Sequence, residues 1–191
     1  MKSRSEFQTL FKPRAAAVDW RYAMCPLDAD ARLFGPFADL VARWQRRRGA
    51  AFRLPRRADF EMKDFKGWFG QIFIARIERE PFNLRFTLWG TQLAEWWQVD
   101  YTNKTLGSQS LDPEAWKSSE LRYFQKMDQV PFIGITSGRL TQHDRDFIKV
   151  MAVDLPLSEG HGISHVISAH KRVELGDEIE TLLPGCPFTP V

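Results

Sequence analysis

Residues 84–97 read LRFTLWGTQLAEWW and change from a strand pattern to a helix pattern within one short stretch. Apolar side chains recur at every second position from Leu84 to Leu88, an alternation that is typical of a β-strand. Gly90 and Thr91 then end the strand, and the Thr91 side chain can cap a short helix with apolar residues on one face. The stretch therefore predicts a strand followed at once by a helix.

Further strands are predicted on both sides of this stretch. Upstream, residues 72–77 form a nearly unbroken apolar run, which suits a strand that is covered on both faces. Downstream, extended patterns separated by turns occupy residues 132–140, 147–155 and 163–173. With residues 84–89, these segments predict an α+β domain with one five-stranded antiparallel sheet, helices on one face and an extra N-terminal helix.

Two more helices are predicted within this domain. Residues 60–68 suit a short helix that Asp59 caps. A longer helix covers residues 113–128, because Asp112 is a favourable cap and Pro113 suits the first helical position. The chain therefore reads as two strands, a few helices and three hairpin-linked strands.

The extra N-terminal helix is predicted at residues 36–48. Pro36 suits its first position, and Gly49 suits the position just past its end. Arg46, Arg47 and Arg48 occupy its last turn, where cations complement the helix dipole. Its apolar stripe has the spacing i, i+3, i+4, i+7 and consists of Phe37, Leu40, Val41 and Trp44.

Composition and length describe a single globular domain. The chain has 191 residues, with 27 Lys and Arg against 24 Asp and Glu. We expect an N-terminal arm at residues 1–27, one domain at 28–176 and an irregular C-terminal tail at 177–191. No uncharged run reaches the roughly 18 residues that a membrane helix needs, and no secretory signal is recognised, so we expect a cytoplasmic protein.

Charge and cysteine content restrict the function classes further. Residues 1–95 carry 18 basic and 11 acidic residues, whereas residues 96–191 carry 9 and 13. The basic excess could attract an anionic partner. Cys25 and Cys186 lie near opposite ends of the chain and form no Cys/His cluster, so the sequence predicts neither a disulfide framework nor a structural zinc site.

Three motifs resemble those of a family of short, stand-alone bacterial PAS proteins. They are LPRRADF at residues 54–60, FTLWGT at residues 86–91 and LPLSEG at residues 155–160. The second motif is followed, as in the family, by Glu95, Asp100, Thr102 and Leu106. The three motifs occur in the family's order, and the resemblance covers roughly residues 44–175.

The loop after the double tryptophan departs from the family pattern. The family usually has glycine where this chain has Gln98 and Asn103. Asparagine tolerates the left-handed backbone conformation, so the turn at residue 103 is expected to survive. This loop borders the usual ligand pocket of the family.

The resemblance implies a PAS fold that binds a small molecule between sheet and helices, or a partner through the outer sheet face. Arg139 or His165 is predicted to provide a polar anchor for such a ligand. Aromatic side chains in this position are often simply core, and that alternative stays open. The predicted lining residues are Phe73, Phe86, Trp89, Trp96, Trp97, Tyr123, Phe132, Arg139 and His165.

The resemblance also raises the question of whether the chain binds haem or a photoactive flavin, two cofactors that are common in PAS domains. A haem-binding PAS domain usually takes an axial histidine from the helices over the sheet, whereas all four histidines of this chain follow residue 140. A photoactive flavin site needs a cysteine in the helical segment, and Cys25 and Cys186 both lie outside it. Haem and photoactive flavin are therefore disfavoured, and the cofactor is unknown.

Catalytic motifs give no support for an enzyme. The GxSxG, Walker and GxGxxG patterns are absent from the sequence. Residues 143–146, HDRD, read as a hairpin turn rather than a metal site. His165 and His170 lie on opposite strand faces because their separation is odd. A weaker alternative is an isomerase or hydrolase that uses Asp154 and His165.

We therefore expect a non-catalytic sensory or signalling module that binds a small ligand or a protein partner. PAS domains commonly dimerise through the helix before the core, so the resemblance implies a homodimer formed by the stripe on residues 36–48. The alternative is a nucleic-acid or anionic-surface binding protein, although a solvated basic helix end is the favoured interpretation. Its binding residues would be Arg43, Arg46, Arg47, Arg48, Arg53, Arg56 and Arg57.

Overall fold

A computed structural model describes the greater part of the chain. The described residues are 19–48, 53–111, 113–187 and 189–190, with only the backbone for 113–118. The predicted helix cap Asp112 and the predicted helix end at Gly49 lie outside these residues. Residues 1–18 of the predicted N-terminal arm also lie outside them.

A seven-stranded antiparallel sheet forms the centre of the described residues, with the order β3-β2-β6-β5-β4-β1-β7. The α+β class and the five predicted strands, which are β2 to β6, are confirmed. The other two strands lie in the segments assigned to the arm and the tail, and β1 pairs with both β4 and β7. The strands are β1 (Arg21–Cys25), β2 (Ile72–Arg79), β3 (Phe82–Trp89), β4 (Ile133–Leu140), β5 (Arg145–Leu157), β6 (His165–Val173) and β7 (Thr189–Pro190).

The α-helices of the described residues are α1 (Ala38–Arg48), α2 (Thr91–Trp97), α3 (Pro113–Gln129) and α4 (Ile179–Leu182). The short helix predicted at residues 60–68 is only a 3-10 helix at Met62–Phe65. Two glycines with positive φ, Gly67 at 92° and Gly70 at 84°, turn the chain directly afterwards. Other 3-10 helices lie at Ala31–Phe37, Arg57–Asp59 and Thr141–His143.

Helices cover both faces of the sheet. Because side chains alternate along a strand, Met151 and Val153 of β5 face α1, whereas Val150 faces the side of α2 and α3. We call the α1 side the outer face and the α2–α3 side the inner face. Each face has its own apolar core, so one sheet separates two packing environments.

The stripe predicted to join two copies of the chain packs inside one chain instead. Phe37, Val41 and Trp44 have no exposed side-chain surface, and Leu40 is almost as completely buried, all within the outer-face core. The Trp44 Nε1 donates a hydrogen bond to the Pro156 carbonyl at 3.0 Å. An amphipathic pattern predicts that one face of a helix is buried, but it does not show which surface covers that face. These four residues are therefore wrong as a dimer interface.

Two cysteines that are distant in sequence meet at the outer face. Cys25 ends β1, and Cys186 lies in the segment that leads to β7. Their Sγ atoms are 3.3 Å apart, and both thiols are free and buried. Their contact places the end of β1 beside the segment that precedes β7.

Candidate functional site

A cavity of about 50 Å³ lies between the inner face of the sheet, helices α2 and α3 and the loop at residues 98–111. At about 10–15 Å³ for each water centre, it has room for roughly four water molecules. Its aromatic walls include Trp20, Phe73, Phe86, Trp89, Trp97 and Tyr101. Its polar side chains include Glu120, Gln142, His143, Asp154, Ser168 and His170.

A row of paired residues across five strands forms part of the cavity floor. Gly134 of β4 lies opposite Asp154 of β5, which lies opposite Ser168 of β6. Ser168 in turn lies opposite Phe73 of β2, and Phe73 opposite Trp89 of β3. Directly opposed residues point to the same face of an antiparallel sheet. The register therefore directs the carboxyl, hydroxyl and aromatic groups of this row toward the helices.

The glycine in this row allows helix α3 to reach the sheet. A Cβ atom at Gly134 would lie only 1.6 Å from the Tyr123 Oη. Without that atom, the Tyr123 hydroxyl passes over the strand and donates a hydrogen bond to Asp154 Oδ2 at 2.8 Å. Gly134 thus positions the tyrosine that holds the buried carboxylate.

Two carboxyl groups of the cavity have raised pKa values. Burial raises the pKa of Asp154 to about 6, and the nearby Ser168 hydroxyl and the hydrogen bond from Tyr123 oppose part of this rise. Burial and the nearby Asp154 charge raise the pKa of Glu120 to about 8. Each carboxyl group therefore keeps its proton to a higher pH than it would in water.

The two histidines of the cavity are neutral at physiological pH. Burial lowers the pKa of His170 to about 3 and that of His143 to about 4. The His170 ring packs 5.4 Å from the Phe73 ring and 5.5 Å from the Trp97 ring, measured between centroids. The His143 Nε2 lies 3.2 Å from the Tyr101 Oη. Both imidazoles are thus neutral groups that are able to form hydrogen bonds.

Four buried polar atoms on residues that line the cavity have no hydrogen-bond partner among the described residues. They are Trp89 Nε1, Gln142 Oε1, Ser168 Oγ and His170 Nδ1. Ser168 is fully buried and His170 is 4% exposed. Buried polar groups in proteins almost always have a partner. Four unpartnered atoms around one cavity therefore make this cavity the candidate functional site.

The structure brings five of the nine predicted lining residues to this cavity. Trp96 and Phe132 are buried in the same apolar core but lie outside the cavity wall. The five that line the cavity are Phe73, Phe86, Trp89, Trp97 and Tyr123.

Both predicted polar anchors lie away from the cavity. Arg139 pairs with Asp19 at 3.4 Å, and its side chain is 43% exposed. His165 lies opposite Leu157, an outer-face residue, so its side chain points away from the cavity. Asp154 lies opposite Ser168 and not His165, so the two do not form the catalytic pair of the enzyme hypothesis. These two anchors are therefore wrong.

The sequence named Asp154 only for the weaker enzyme alternative, and it missed Glu120, Ser168 and His170 as polar groups of the cavity. His170 was recognised as opposite in orientation to His165, but the face that carries the cavity was not known. Asp154 is the single charged residue in the run from Val150 to Leu157. A buried carboxylate in such an apolar strand is the signal that could have identified the site.

Two turns shape the wall and its rim. Gln98 and Asn103 have φ values of 55° and 63°, which places both in the left-handed region at the sites where the family usually has glycine. Of the residues 143–146, His143 and Asp144 lie in the predicted turn between β4 and β5, with Asp144 also left-handed, whereas Arg145 and Asp146 begin β5. Within the described ranges, no group of three or more metal-binding side chains comes together.

The arginines of the basic cluster mostly bind the protein itself. Arg43 donates to the Asp64 carbonyl at 2.8 Å, and Arg47 binds Asp64 Oδ1 at 2.6 Å. Arg57 donates to the Phe60 carbonyl at 3.0 Å. These contacts hold the segment after residue 56 against α1. They favour a structural role for the cluster over recognition of nucleic acid.

Comparisons with known proteins identify one family. A family model described as a PAS domain matches residues 35–167. None of the curated proteins and none of the solved structures matches the chain. In the part of the chain that the structure describes, no helix is both long enough and apolar enough to cross a membrane.

Proposed function

This chain belongs to the PAS domain family of sensory and signalling modules, and on that premise we propose that it senses a small molecule bound in the inner-face cavity. The proposal assigns no catalytic residue to the chain. Output passes through contacts between protein surfaces, and a second copy of the chain is one such partner. Because the α1 stripe is buried, a homodimer has to use other residues.

The observation that supports this proposal is the set of four unpartnered polar atoms on the cavity wall. Each buried donor or acceptor without a partner costs about 1–3 kcal/mol. Cavities that are mere packing defects are apolar and stay dry, whereas this one also contains two carboxyl groups. A bound molecule that pairs with Trp89 Nε1, Gln142 Oε1, Ser168 Oγ and His170 Nδ1 removes that cost.

The full chain tests the proposal when it is purified, denatured and analysed for released small molecules by mass spectrometry. The informative variant is Ser168→Val, which removes a cavity hydroxyl and adds volume. The matched control is Ser137→Val, since Ser137 is also a buried strand serine but lies opposite the outer-face residue Met151.

We expect wild type and Ser137→Val to release the same molecule in near-equal amounts. Ser168→Val should release at least tenfold less while it keeps a cooperative thermal unfolding transition. Release of equal amounts from all three proteins, or of nothing from wild type, would contradict a ligand site in this cavity.

A further inference from the structure

The charged side chains that the structure describes in the cavity wall are acidic. Two carboxyl groups, Asp154 and Glu120, line it, and no lysine or arginine is found among the described lining residues. Asp154 is 2% exposed. Other carboxylates of the chain have arginine partners, as Asp128 has in Arg79 and Asp64 in Arg47. A buried carboxylate without a cation is costly unless it binds a proton or a cationic ligand.

The uncharged part of the wall also suits a cation. Trp89 packs 5.6 Å from Trp97 and 4.9 Å from Tyr101, and Phe86 packs 5.3 Å from Tyr101, measured between ring centroids. The rings meet at angles from 47° to 88° and so form a box rather than a stack. Boxes of aromatic faces attract ammonium and guanidinium groups through the negative potential above each ring.

The unpartnered atoms define the hydrogen bonds that a ligand has to make. Gln142 Oε1 accepts only, and Ser168 Oγ and His170 Nδ1 can each accept a hydrogen bond. An ammonium group carries three donors and no acceptor, which suits these atoms. Trp89 Nε1 donates only, so the ligand needs one acceptor in addition. The small volume of the cavity restricts the ligand to a few heavy atoms.

We infer that the ligand of the proposed sensor is a small organic cation that also carries a hydroxyl or carbonyl group, with Asp154 and Glu120 as its counter-ions. This inference rests on the proposed function, because it names the chemical class of the molecule in the same cavity. A short amino alcohol has the required charge, donors, acceptor and size.

Binding of such a cation is expected to depend on pH. The ionisable groups that face the two carboxyls are Tyr22 from β1, Tyr123 from α3, Tyr101 and His143 from the connecting segments, and His170 from β6. Burial keeps the tyrosines protonated and the histidines neutral near pH 7. Only Asp154 and Glu120 therefore change charge between pH 6 and 8, and the cation binds the ionised forms more tightly.

The test is thermal unfolding and calorimetric titration of the full chain with 2-aminoethanol. Ethane-1,2-diol is the neutral probe of the same length, and glycolate is the anionic one, all at matched ionic strength. We expect 2-aminoethanol to raise the unfolding temperature and to bind at least tenfold more tightly than either comparison probe. Its affinity should increase about tenfold from pH 6 to pH 8.

Two variants connect the affinity to the cavity. Asp154→Asn keeps the shape of the side chain and an acceptor for Tyr123, and it should weaken 2-aminoethanol binding at least tenfold. Glu120→Gln should reduce the pH dependence of the affinity, and the titration of Asp154 should account for what remains. Glu95→Gln is the control, since Glu95 is an exposed carboxylate on α2 outside the cavity wall, and it should bind like wild type.

The outcomes separate this inference from the proposed function. Equal or tighter binding of ethane-1,2-diol or glycolate would overturn the cation inference and leave the small-molecule site standing. Binding of 2-aminoethanol that Asp154→Asn does not weaken would overturn the inference as well. If no probe binds, the inference fails, and the released-molecule experiment decides separately whether the cavity is a ligand site.

Discussion

The two faces of the sheet are built from the same strands but differ in how completely they are filled. On the outer face, Met151, Val153 and Leu155 of β5 are fully buried against α1 and its 3-10 helix. On the inner face, the neighbouring residue Asp154 lines a cavity with unpartnered polar atoms. One strand thus contributes alternate residues to a dry core and to a polar cavity.

This difference indicates that the residues that stabilise the domain and the residues that form its candidate ligand site are largely separate sets. A dry, close-packed core gains dispersion and hydrophobic free energy from every buried atom. A cavity with polar atoms gives up part of that free energy in exchange for a binding site, as functional sites commonly do. Substitutions on the two faces should therefore have different effects on unfolding.

The largest expected difference comes from the two tryptophans at the centres of the two faces. Trp44→Ala should lower the free energy of unfolding by about 3–5 kcal/mol, because it opens a large void in the outer core and removes the hydrogen bond to Pro156. Trp97→Ala should cost about 1 kcal/mol less, since Trp97 already borders a void. Urea unfolding measures both, and equal losses would contradict the distinction between the faces.

The next effect concerns the contact that positions the buried carboxylate. Gly134→Ala should destabilise the fold by about 1–3 kcal/mol, because its Cβ would collide with the Tyr123 Oη. In a Tyr123→Phe background that hydroxyl is absent, so the same substitution should cost less. A double-mutant cycle of unfolding free energies measures this coupling. Additive losses would show that Gly134 does not make room for the hydroxyl.

A smaller effect is expected from the pH dependence of the ligand-free protein. The pKa of Glu120 is about 8 in the folded chain and near 4.3 when unfolded, so the folded state holds the extra proton. The free energy of unfolding should therefore fall as pH rises from 6.5 to 8, by at most about 1.4 kcal/mol per pH unit.

Glu120→Gln should abolish this decline, whereas wild type should retain it. Below pH 6.5, His170 and His143 have the opposite effect, because their pKa values are lower in the folded state than in the unfolded state. The unfolded state therefore binds more protons at these two groups, and the free energy of unfolding decreases as pH falls. Thermal unfolding at closely spaced pH values measures both trends. An identical decline above pH 6.5 in both proteins would assign it to another group.

The smallest effect separates two buried serines. The Ser137 hydroxyl donates to the Val150 carbonyl at 3.1 Å, so Ser137→Ala should cost about 1 kcal/mol. The Ser168 hydroxyl has no partner among the described residues, so Ser168→Ala should leave the ligand-free protein unchanged within about 0.5 kcal/mol. A loss from Ser168→Ala as large as that from Ser137→Ala would contradict the assignment of Ser168 to the cavity.

The strands that the sequence identified are those with clear alternation or a long apolar run, β2 to β6. The strands β1 and β7 were missed because each is short and takes its stability from pairing at one edge of the sheet. The amphipathic stripe on α1 was recognised, and its burial partner was not, since the pattern alone cannot distinguish the chain's own sheet from a second copy.

For the candidate site, aromatic content predicted seven lining residues, of which five line the cavity, and strand parity separated His165 from His170. The alternation of side chains along a strand does not show which face of the sheet lines the cavity. The face is determined by where α2 and α3 pack. The polar anchors therefore had to come from the three-dimensional register. Asp154 and Ser168 face each other from strands that are joined by a turn, which is a relation of the sheet and not of local sequence.

The most direct test of the central claim is a high-resolution crystal structure of the purified full chain, with attention to the electron density in the inner-face cavity. We predict density for one molecule larger than water, within hydrogen-bonding distance of Ser168 Oγ and His170 Nδ1, about 3 Å. A cavity that holds only ordered waters, or that is closed by rearranged side chains, would contradict the account.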